Sequence, residues 1–306
     1  MKKIAILGAT GHIGKALTYS LSLKSGFEVF LFARSMDRLQ LFLSEIRADD
    51  KFHPYPIKKF GDDSYDVVVN CVGFGSLPVA KDAGADVFKV TEDFDNLILE
   101  YIRKRAKTLY VSLSSGAVYG KSFALPVDEH TKTILDVNNI SYDDYYSVAK
   151  INSEFKHRLA SNLNIVDLRI FSFFSRFLGM DSGLFMSEII ASIKKKRVLM
   201  TSSEDILRDY IASEDLLELI VLCSKKRSIN DFFDVYSKAP VTKRELLEYF
   251  KREYGLKYLI KNSSSIHGRT GSKYAYYSIN RKAKALRYSP KLSSMDCIMS
   301  EAKKIL

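Results

Sequence analysis

Two side chains whose types and spacing could do chemistry stand in the stretch Asp143 to Glu154, where Tyr146 and Lys150 lie at i and i+4. On a helix that spacing sends both side chains from one face. An ammonium held beside a phenol favours the phenolate, so such a pair could exchange a proton with a bound oxygen at cellular pH. The spacing alone is a weak signal, because a chain with 18 tyrosines and many lysines produces about two such pairs by accident. Tyr55 and Lys59 form one, but Pro56 falls between them and excludes a helix interior there. The plain alternative for Tyr146 is a half-buried aromatic. The elements that must position it decide between the two.

The first of these elements is a glycine turn. Lys2 to Leu7 is a short apolar run that ends at Gly8 and reads as a buried parallel strand. Gly8-Ala9-Thr10-Gly11-His12-Ile13-Gly14 follows, and Lys15 to Leu23 carries a helical pattern. Strand, glycine turn and helix in that order form the setting in which such a motif binds a dinucleotide. Gly8 allows the tight turn, Gly11 lets the main chain approach a pyrophosphate, and Gly14 lets the helix pack on the sheet. Thr10, His12 and Ile13 complete the turn around the anion, which faces the free N–H groups of the first helical turn. The plain alternative is a glycine-rich turn with no ligand.

Phe27 to Phe32 reads as the second strand, and the residues after it choose the cofactor. A carboxylate there would bind the adenosine 2′-hydroxyl and repel a 2′-phosphate. The chain has Ala33-Arg34-Ser35 instead, with Arg38 one turn later. Two guanidinium groups and a hydroxyl suit a 2′-phosphate, so NADP(H) is preferred over NAD(H). A solvated arginine loop is the alternative.

Leu39 to Ile46 has a helical pattern, Phe52 to Pro56 is a weak strand and Asp66 to Cys71 a strong one. The link between these strands is too short for a full crossover helix, so one turn at most is expected. Asn70-Cys71-Val72-Gly73-Phe74-Gly75 ends the fourth strand and sets Cys71, Val72 and Gly73 where a cofactor ribose could lie close. Val90 to Arg105 is an amphipathic helix, and Leu109 to Leu113 is a fifth strand running into Ser114-Ser115-Gly116-Ala117-Val118-Tyr119-Gly120. In an open α/β sheet ligands gather at the carboxyl ends of strands, which puts this serine pair in the crevice, although serine there can equally cap a turn. Asn164 to Ile170 is the sixth strand. From Phe171 onward an aromatic loop, a helix from Gly183 to Lys195, Arg208-Asp209-Tyr210-Ile211 and a helix from Ser213 to Ser224 suggest a smaller lobe. The expected fold is therefore α/β, a doubly wound (Rossmann) parallel sheet over 1–170. A substrate-binding lobe over 171–306 follows, from which about 206–236 returns to the first domain. Asn262 to Ser272, rich in Ser and Gly, reads as a mobile loop.

The 306 residues carry 46% apolar side chains, enough for a sizeable core. Lys and Arg number 47 against 36 Asp and Glu, a net charge of +11 spread along the chain rather than gathered into an arm. That distribution reads as a solvated basic surface, not a nucleic-acid footprint, and it would still attract a phosphorylated small molecule. The run Lys194 to Arg197 ends a helix, where positive charge suits the helix dipole. Cys71, Cys223 and Cys297 sit in apolar surroundings without paired spacing, which points to a reducing compartment. The apolar start is cut short at Gly8 and no run of about 18 apolar residues exists, so the cytoplasm is expected and a membrane partner is not. His12, His53, His130, His157 and His267 never recur with ligand spacing, and no metal site is expected.

Taken together these residues resemble the extended short-chain dehydrogenase/reductase family, most closely its sugar-nucleotide epimerase, dehydratase and ketoreductase branch. The resemblance runs through Gly8/Gly11/Gly14, Ser-Ser-x-x-Val-Tyr-Gly at 114 to 120, Pro126-Val127-Asp128-Glu129 and Tyr146-x-x-x-Lys150. It continues through Leu168-Arg169, Arg208-Asp209-Tyr210-Ile211 with Asp215, and Tyr288-Ser289-Pro290. It implies that Ser115 hydrogen-bonds the reacting sugar oxygen, that Gly116 and Ser172 lie against the substrate, and that Tyr146 trades a proton with that oxygen. It further implies that Lys150 holds the nicotinamide ribose and favours the phenolate, and that Arg208 binds the substrate diphosphate. Hydride would pass between the sugar carbon and nicotinamide C4.

Three departures refine the expectation. Gly116-Ala117 stands where dehydratases of the family carry an acidic pair, which argues against dehydration. Ser172-Phe173-Phe174-Ser175 replaces the usual Asn and Tyr-Gly. Ala33-Arg34 replaces the acid of NAD-retaining epimerases. The expected function is thus NADPH-dependent reduction of a 4-keto group on a nucleoside-diphosphate sugar. A nucleoside-diphosphate-sugar 4-epimerase is the second reading, and a non-catalytic NADP(H)-sensing or scaffold protein the third. Ser115, Tyr146 and Lys150 together argue against the third, since a sensor has no use for them. In the resembling family the helices corresponding to Val90–Arg105 and Asp143–Leu159 pair across a two-fold axis, so a homodimer is expected.

Overall fold

The computed structural model of the chain describes residues 1–74, 83–84, 86–120, 123–140, 142–261 and 274–306, so Gly75 and the Asn262 to Ser272 loop lie outside the described residues. The main sheet is built from β1 (Lys2–Leu7), β2 (Phe27–Ala33), β3 (His53–Pro56), β4 (Val67–Asn70), β5 (Leu109–Ser115), β6 (Ile165–Ile170) and, much later in the chain, β11 (Asn230–Asp234). All pairings are parallel, in the order β11-β6-β5-β4-β1-β2-β3. The order reverses at β1, which makes the gap above β1 and β4 the switch point where such sheets take ligands. Register levels the strand ends there: Leu7 pairs with Phe32 and Asn70, and Asn70 with Ser112.

The strands are apolar on both faces because both are covered. Ile4, Ile6, Val29 and Leu31 point to one side, under α1 (His12–Ser22), α2 (Met36–Glu45) and α6 (Ser213–Cys223). Ala5, Leu7, Phe30 and Val68 point to the other, under α3 (Asp86–Arg103) and α4 (Tyr142–Leu159), with Tyr110 of β5 buried among them. Between β3 and β4 the crossover is a single 3-10 turn, Ile57–Lys59, as the short link required. Tyr55 is in the strand and Lys59 in that turn, so the accidental Tyr/Lys pair never shares a helix.

The chain after β6 forms a second core around Phe174, Met186, Ile189, Leu246 and Phe250. Its helices are α5 (Phe185–Lys194), α7 (Lys243–Tyr254) and α8 (Ser294–Ala302). The last two start in reciprocal caps, Thr242 with Glu245 and Ser293 with Asp296, and α7 stops at Gly255 with a left-handed φ of 66°. Short strands complete the lobe: β7 (Ser172–Phe173), β8 (Leu199–Ser202), β9 (Leu207–Arg208), β10 (Tyr210–Ile211), β12 (Val241–Thr242), β13 (Tyr258–Lys261) and β14 (Ala275–Tyr276). Two elements from this half return to the main sheet. Helix α6 lies against α1, where Ser20 Oγ donates to Ser213 Oγ at 2.9 Å. Strand β11 adds to β6, and its Asn230 Nδ2 donates to the carbonyls of His157, Ala160 and Leu163 at 3.0, 2.9 and 3.1 Å, closing the open end of α4. Among the described residues no helix is long and apolar enough to cross a membrane.

Candidate active site

The strand ends at the switch point open on a crevice of about 350 Å³. One wall is Gly11 to Ile13, Cys71 to Phe74 and Leu113 to Ser115. The other is Phe171 to Phe173, Leu184 to Met186, Arg208, Tyr210 and Tyr276, and Tyr146 and Lys150 of α4 reach the same space.

The glycine turn is built as its sequence requires. Gly8 has φ of +80° and its N–H donates to Phe32 O at 3.0 Å, tying the turn to the end of β2. A Cβ on Gly14 would lie 2.3 Å from Gly8 O, so only glycine lets α1 start this close to β1. Gly11 caps α1 without any side-chain acceptor, and the first turn carries no acid. The N–H groups of that turn are therefore left for an anion. Thr10 is half-buried within the turn. His12 packs edge-on against Phe173 at 5.1 Å, and burial pulls its imidazole down to about 4, so it is neutral at the mouth of the helix. Its Nε2 is buried and has no partner among the described residues.

Helix α4 is bolted to the end of β5 at successive turns of one face. Ser147 Oγ donates to Ala117 O at 2.9 Å, Lys150 Nζ to Leu113 O at 2.8 Å, and Glu154 Oε1 accepts from Ser114 Oγ at 2.6 Å. Glu154 is also paired with Arg169 at 2.5 Å, which accounts for the Leu168-Arg169 motif as a clamp between α4 and β6. These bonds fix the rotation of α4 that aims Tyr146 into the crevice. The Lys150 ammonium lies 5.9 Å from the Tyr146 ring centre, and a Cβ built on Gly73, whose φ is +148°, would come 3.9 Å from that nitrogen. Cys71 stands beside them, its thiol pushed up to about 12 by burial against the opposing pull of Lys150.

Ser115 both caps a turn and faces the crevice. Its Oγ caps the 3-10 turn Gly116–Tyr119 by accepting from Ala117 N–H at 3.2 Å, and it lies 3.4 Å from Tyr276 Oη while lining the crevice. Gly116 is required by packing: a Cβ there would come 2.3 Å from the Phe171 ring. Ser172 lines the crevice from β7. Arg208 is buried at the crevice wall, its Nη1 donating to Leu207 O at 2.9 Å and its guanidinium 5.4 Å from the Tyr276 ring. Arg34 and Arg38 are exposed outside the crevice lining, at the end of β2 and on the first turn of α2. Ser35 Oγ caps α2 by accepting from Arg38 N–H at 3.3 Å, which leaves its hydroxyl hydrogen available.

The sequence alone does not place Tyr276 in the site. It sits in a two-residue strand, 161 residues beyond Ser115, and only the run Tyr274-Ala275-Tyr276-Tyr277 marks it in the sequence. Phe171 over Gly116 escaped for the same reason, as nothing local signals the pairing.

A doubly wound sheet with a glycine turn at its switch point and a Tyr–Lys helix beside it defines the extended short-chain dehydrogenase/reductase class, enzymes that work with a nicotinamide cofactor. The chain matches the sequence profile of the NAD dependent epimerase/dehydratase family over residues 4–237 and belongs to that family. Solved structures of similar fold include the UDP-glucuronic acid 4-epimerase of Bacillus cereus in complex with UDP-glucuronic acid and NAD. It has a TM-score of 0.78 and 19% identity, covering 99% of this chain and 98% of that one. The UDP-glucose 4-epimerase of Bifidobacterium longum, in complex with NAD+ and UDP, has a TM-score of 0.79 and 17% identity over 99% and 98% of the two chains. The UDP-N-acetylglucosamine 4-epimerase of Methanobrevibacter ruminantium, in complex with UDP-N-acetylmuramic acid, has 0.80 and 16% over 99% and 97%. No curated protein sequence gives a significant match. The residues of this chain fit a nicotinamide dinucleotide: an uncapped helix start, a turn from which side chains are excluded, and a glycine ledge facing the Lys150 ammonium.

Proposed function

We propose that this enzyme reduces a 4-keto group on a nucleoside-diphosphate sugar, drawing on NADPH. The observation that carries the reading is the convergence of Ser115, Tyr146 and Lys150 on the crevice into which the glycine turn opens. Gly8 to Gly14 and the first turn of α1 would hold the pyrophosphate, with Cys71, Val72 and Gly73 along the ribose. Arg34, Ser35 and Arg38 would take the 2′-phosphate, a task suited to two guanidinium groups and a hydroxyl. When bound, the cofactor supplies the hydride. Tyr146 Oη gives its proton to the C4 oxygen. Lys150 spends one N–H on Leu113 O and has two left for ribose hydroxyls. Ser115, already an acceptor from Ala117 N–H, turns its own hydrogen toward the sugar oxygen and orients it. Arg208 pairs with the diphosphate.

The test is to mix the enzyme with a keto-sugar nucleotide and NADPH and to follow the nicotinamide absorbance. Stoichiometric loss of NADPH is expected, and an unchanged signal with an altered sugar sinks the reductase in favour of the 4-epimerase. That second reading is supported by the neighbours, two of which are 4-epimerases in complex with NAD. A homodimer through α3 and α4 belongs to the proposal. It is supported by Phe155 and Leu159, spaced i and i+4 on α4 and 67% and 85% exposed. A monomeric mass in solution would remove it.

A further inference from the structure

Behind the cofactor wall, on the side of the sheet covered by α3 and α4, runs a buried polar chain that none of the roles above uses. His157 of α4 is 0% exposed and sits between two carboxylates. Its Nε2 is 2.7 Å from Asp95 Oδ1 on α3, and its Nδ1 is 2.8 Å from Asp167 Oδ1 on β6. A ring with a carboxylate oxygen at each nitrogen must donate from both, which only the imidazolium can do. Burial pulls the ring down, but the charges and hydrogen bonds of Asp167 and Asp95 outweigh it and hold the pKa up at about 9. The other charged groups of the cluster are Lys156, 2.7 Å from Asp95 Oδ2 and 3.8 Å from Glu92, and Arg158, 3.0 Å from Asp167 Oδ2.

The chain continues toward the crevice. Asp95 Oδ1 accepts from Tyr110 Oη at 2.9 Å, and Tyr110 Oη accepts from Asn70 Nδ2 at 3.1 Å. Asn70 Oδ1 in turn accepts from Val72 N–H at 3.0 Å, and Val72 lines the crevice between Cys71 and Gly73. Each link sets the sense of the next. Tyr110 must give its hydrogen to Asp95, so its oxygen is left to accept. Asn70 must therefore present its NH2 to Tyr110 and its carbonyl to Val72. A neutral imidazole could donate to only one of its carboxylates, and the other would face a lone pair. With its one hydrogen on Nδ1 toward Asp167, the neutral ring would turn a lone pair on Asp95, which would shift away, and the sense of the whole chain would be lost.

We propose that His157 is a positioning residue for the cofactor wall, holding the Val72 N–H and the turn from Cys71 to Phe74 in place through Asp95, Tyr110 and Asn70. The inference rests on the reading that a nicotinamide dinucleotide occupies the crevice. The test is fluorescence titration of the full chain with NADPH and with NADH from about pH 6 to about pH 10, a window that brackets the imidazolium. The tighter ligand should bind about 10-fold more weakly once the pH passes 9. Tyr110→Phe leaves the His157–Asp95 contact but cuts the link to Asn70. It should weaken binding about 10-fold at neutral pH and remove the alkaline step, raising KM for the dinucleotide with kcat nearly constant. His157→Gln should do the same, and the double variant should be no weaker than either single. Wild-type affinity in Tyr110→Phe, or an alkaline step that persists in it, overturns the proposal. If His157→Gln does not fold, Tyr110→Phe and the wild-type pH curve still decide. A wild-type chain that binds neither dinucleotide refutes the reading of the crevice itself, a result distinct from unaffected binding in the variants.

Discussion

On one side the crevice is walled by main chain, by the turn Gly8 to Gly14, the ledge Cys71 to Phe74 and the end of β5, each continuous with a strand of the main sheet. On the opposite side it is walled by side chains: Phe171 from the bend between β6 and β7, Phe185 and Met186 from α5, and Arg208, Tyr210 and Tyr276 from two-residue strands. The first wall gains its shape from what is missing, since glycine alone fits at positions 8 and 14. The second gains it from what is present and can be repacked. The first wall should therefore break when atoms are added, and the second should shift gradually when groups are exchanged.

The largest effect is expected where the walls meet. Tyr146→Phe should keep dinucleotide affinity and lower kcat by roughly 10²–10⁴-fold, as removal of a general acid does. A chain that merely senses the cofactor would keep any partner binding and show no turnover to lose. Next comes pH. His157 has a folded-state pKa near 9, above the value of about 6.5 for an unfolded histidine, so its stabilisation is complete below the lower value and is lost as pH rises through the upper. Thermal melts should show up to about 3 kcal/mol disappearing across that interval. A flat profile would mean that the imidazole is neutral in the fold.

Gly14→Ala tests the main-chain wall directly. The new Cβ would meet a backbone carbonyl at 2.3 Å, and the required shift of α1 should cost about 1–3 kcal/mol in melting experiments and weaken dinucleotide binding. Arg208→Lys tests the side-chain wall. Loss of a bidentate fork should raise KM for the sugar nucleotide about 10-fold while leaving dinucleotide affinity alone. The smallest change is expected of Tyr276→Phe, which removes one contact to Ser115 and should cost about 1 kcal/mol in kcat/KM. If Arg208→Lys disturbed the dinucleotide as much as Gly14→Ala, the contrast between the walls would be lost.

The same contrast explains how far the sequence could be read. The glycine turn, the short crossover at Ile57–Lys59, the helix bearing Tyr146 and Lys150 and the serine pair at the end of β5 were all visible. In each case a local rule ties residue type to backbone shape. Tyr276 and Phe171 were invisible because their meaning depends on neighbours far away in the chain. His157 was invisible for a related reason. No spacing rule in the sequence ties it to its partners, which are carboxylates on another helix and another strand. Arg169 was seen as a motif, and only the pairing with Glu154 gave it a task.

The three carbonyls gathered by Asn230 carry a consequence for how the enzyme comes into being. The helix that bears the Tyr–Lys pair is finished off by a residue 71 positions beyond its last turn, as Asn230 follows Leu159. A nascent chain released as far as residue 170 would hold the whole glycine turn and both members of the pair, yet lack the plug for that helix. Competence should therefore arrive late in synthesis, and a truncated product ending there should be a protease target rather than a small working enzyme.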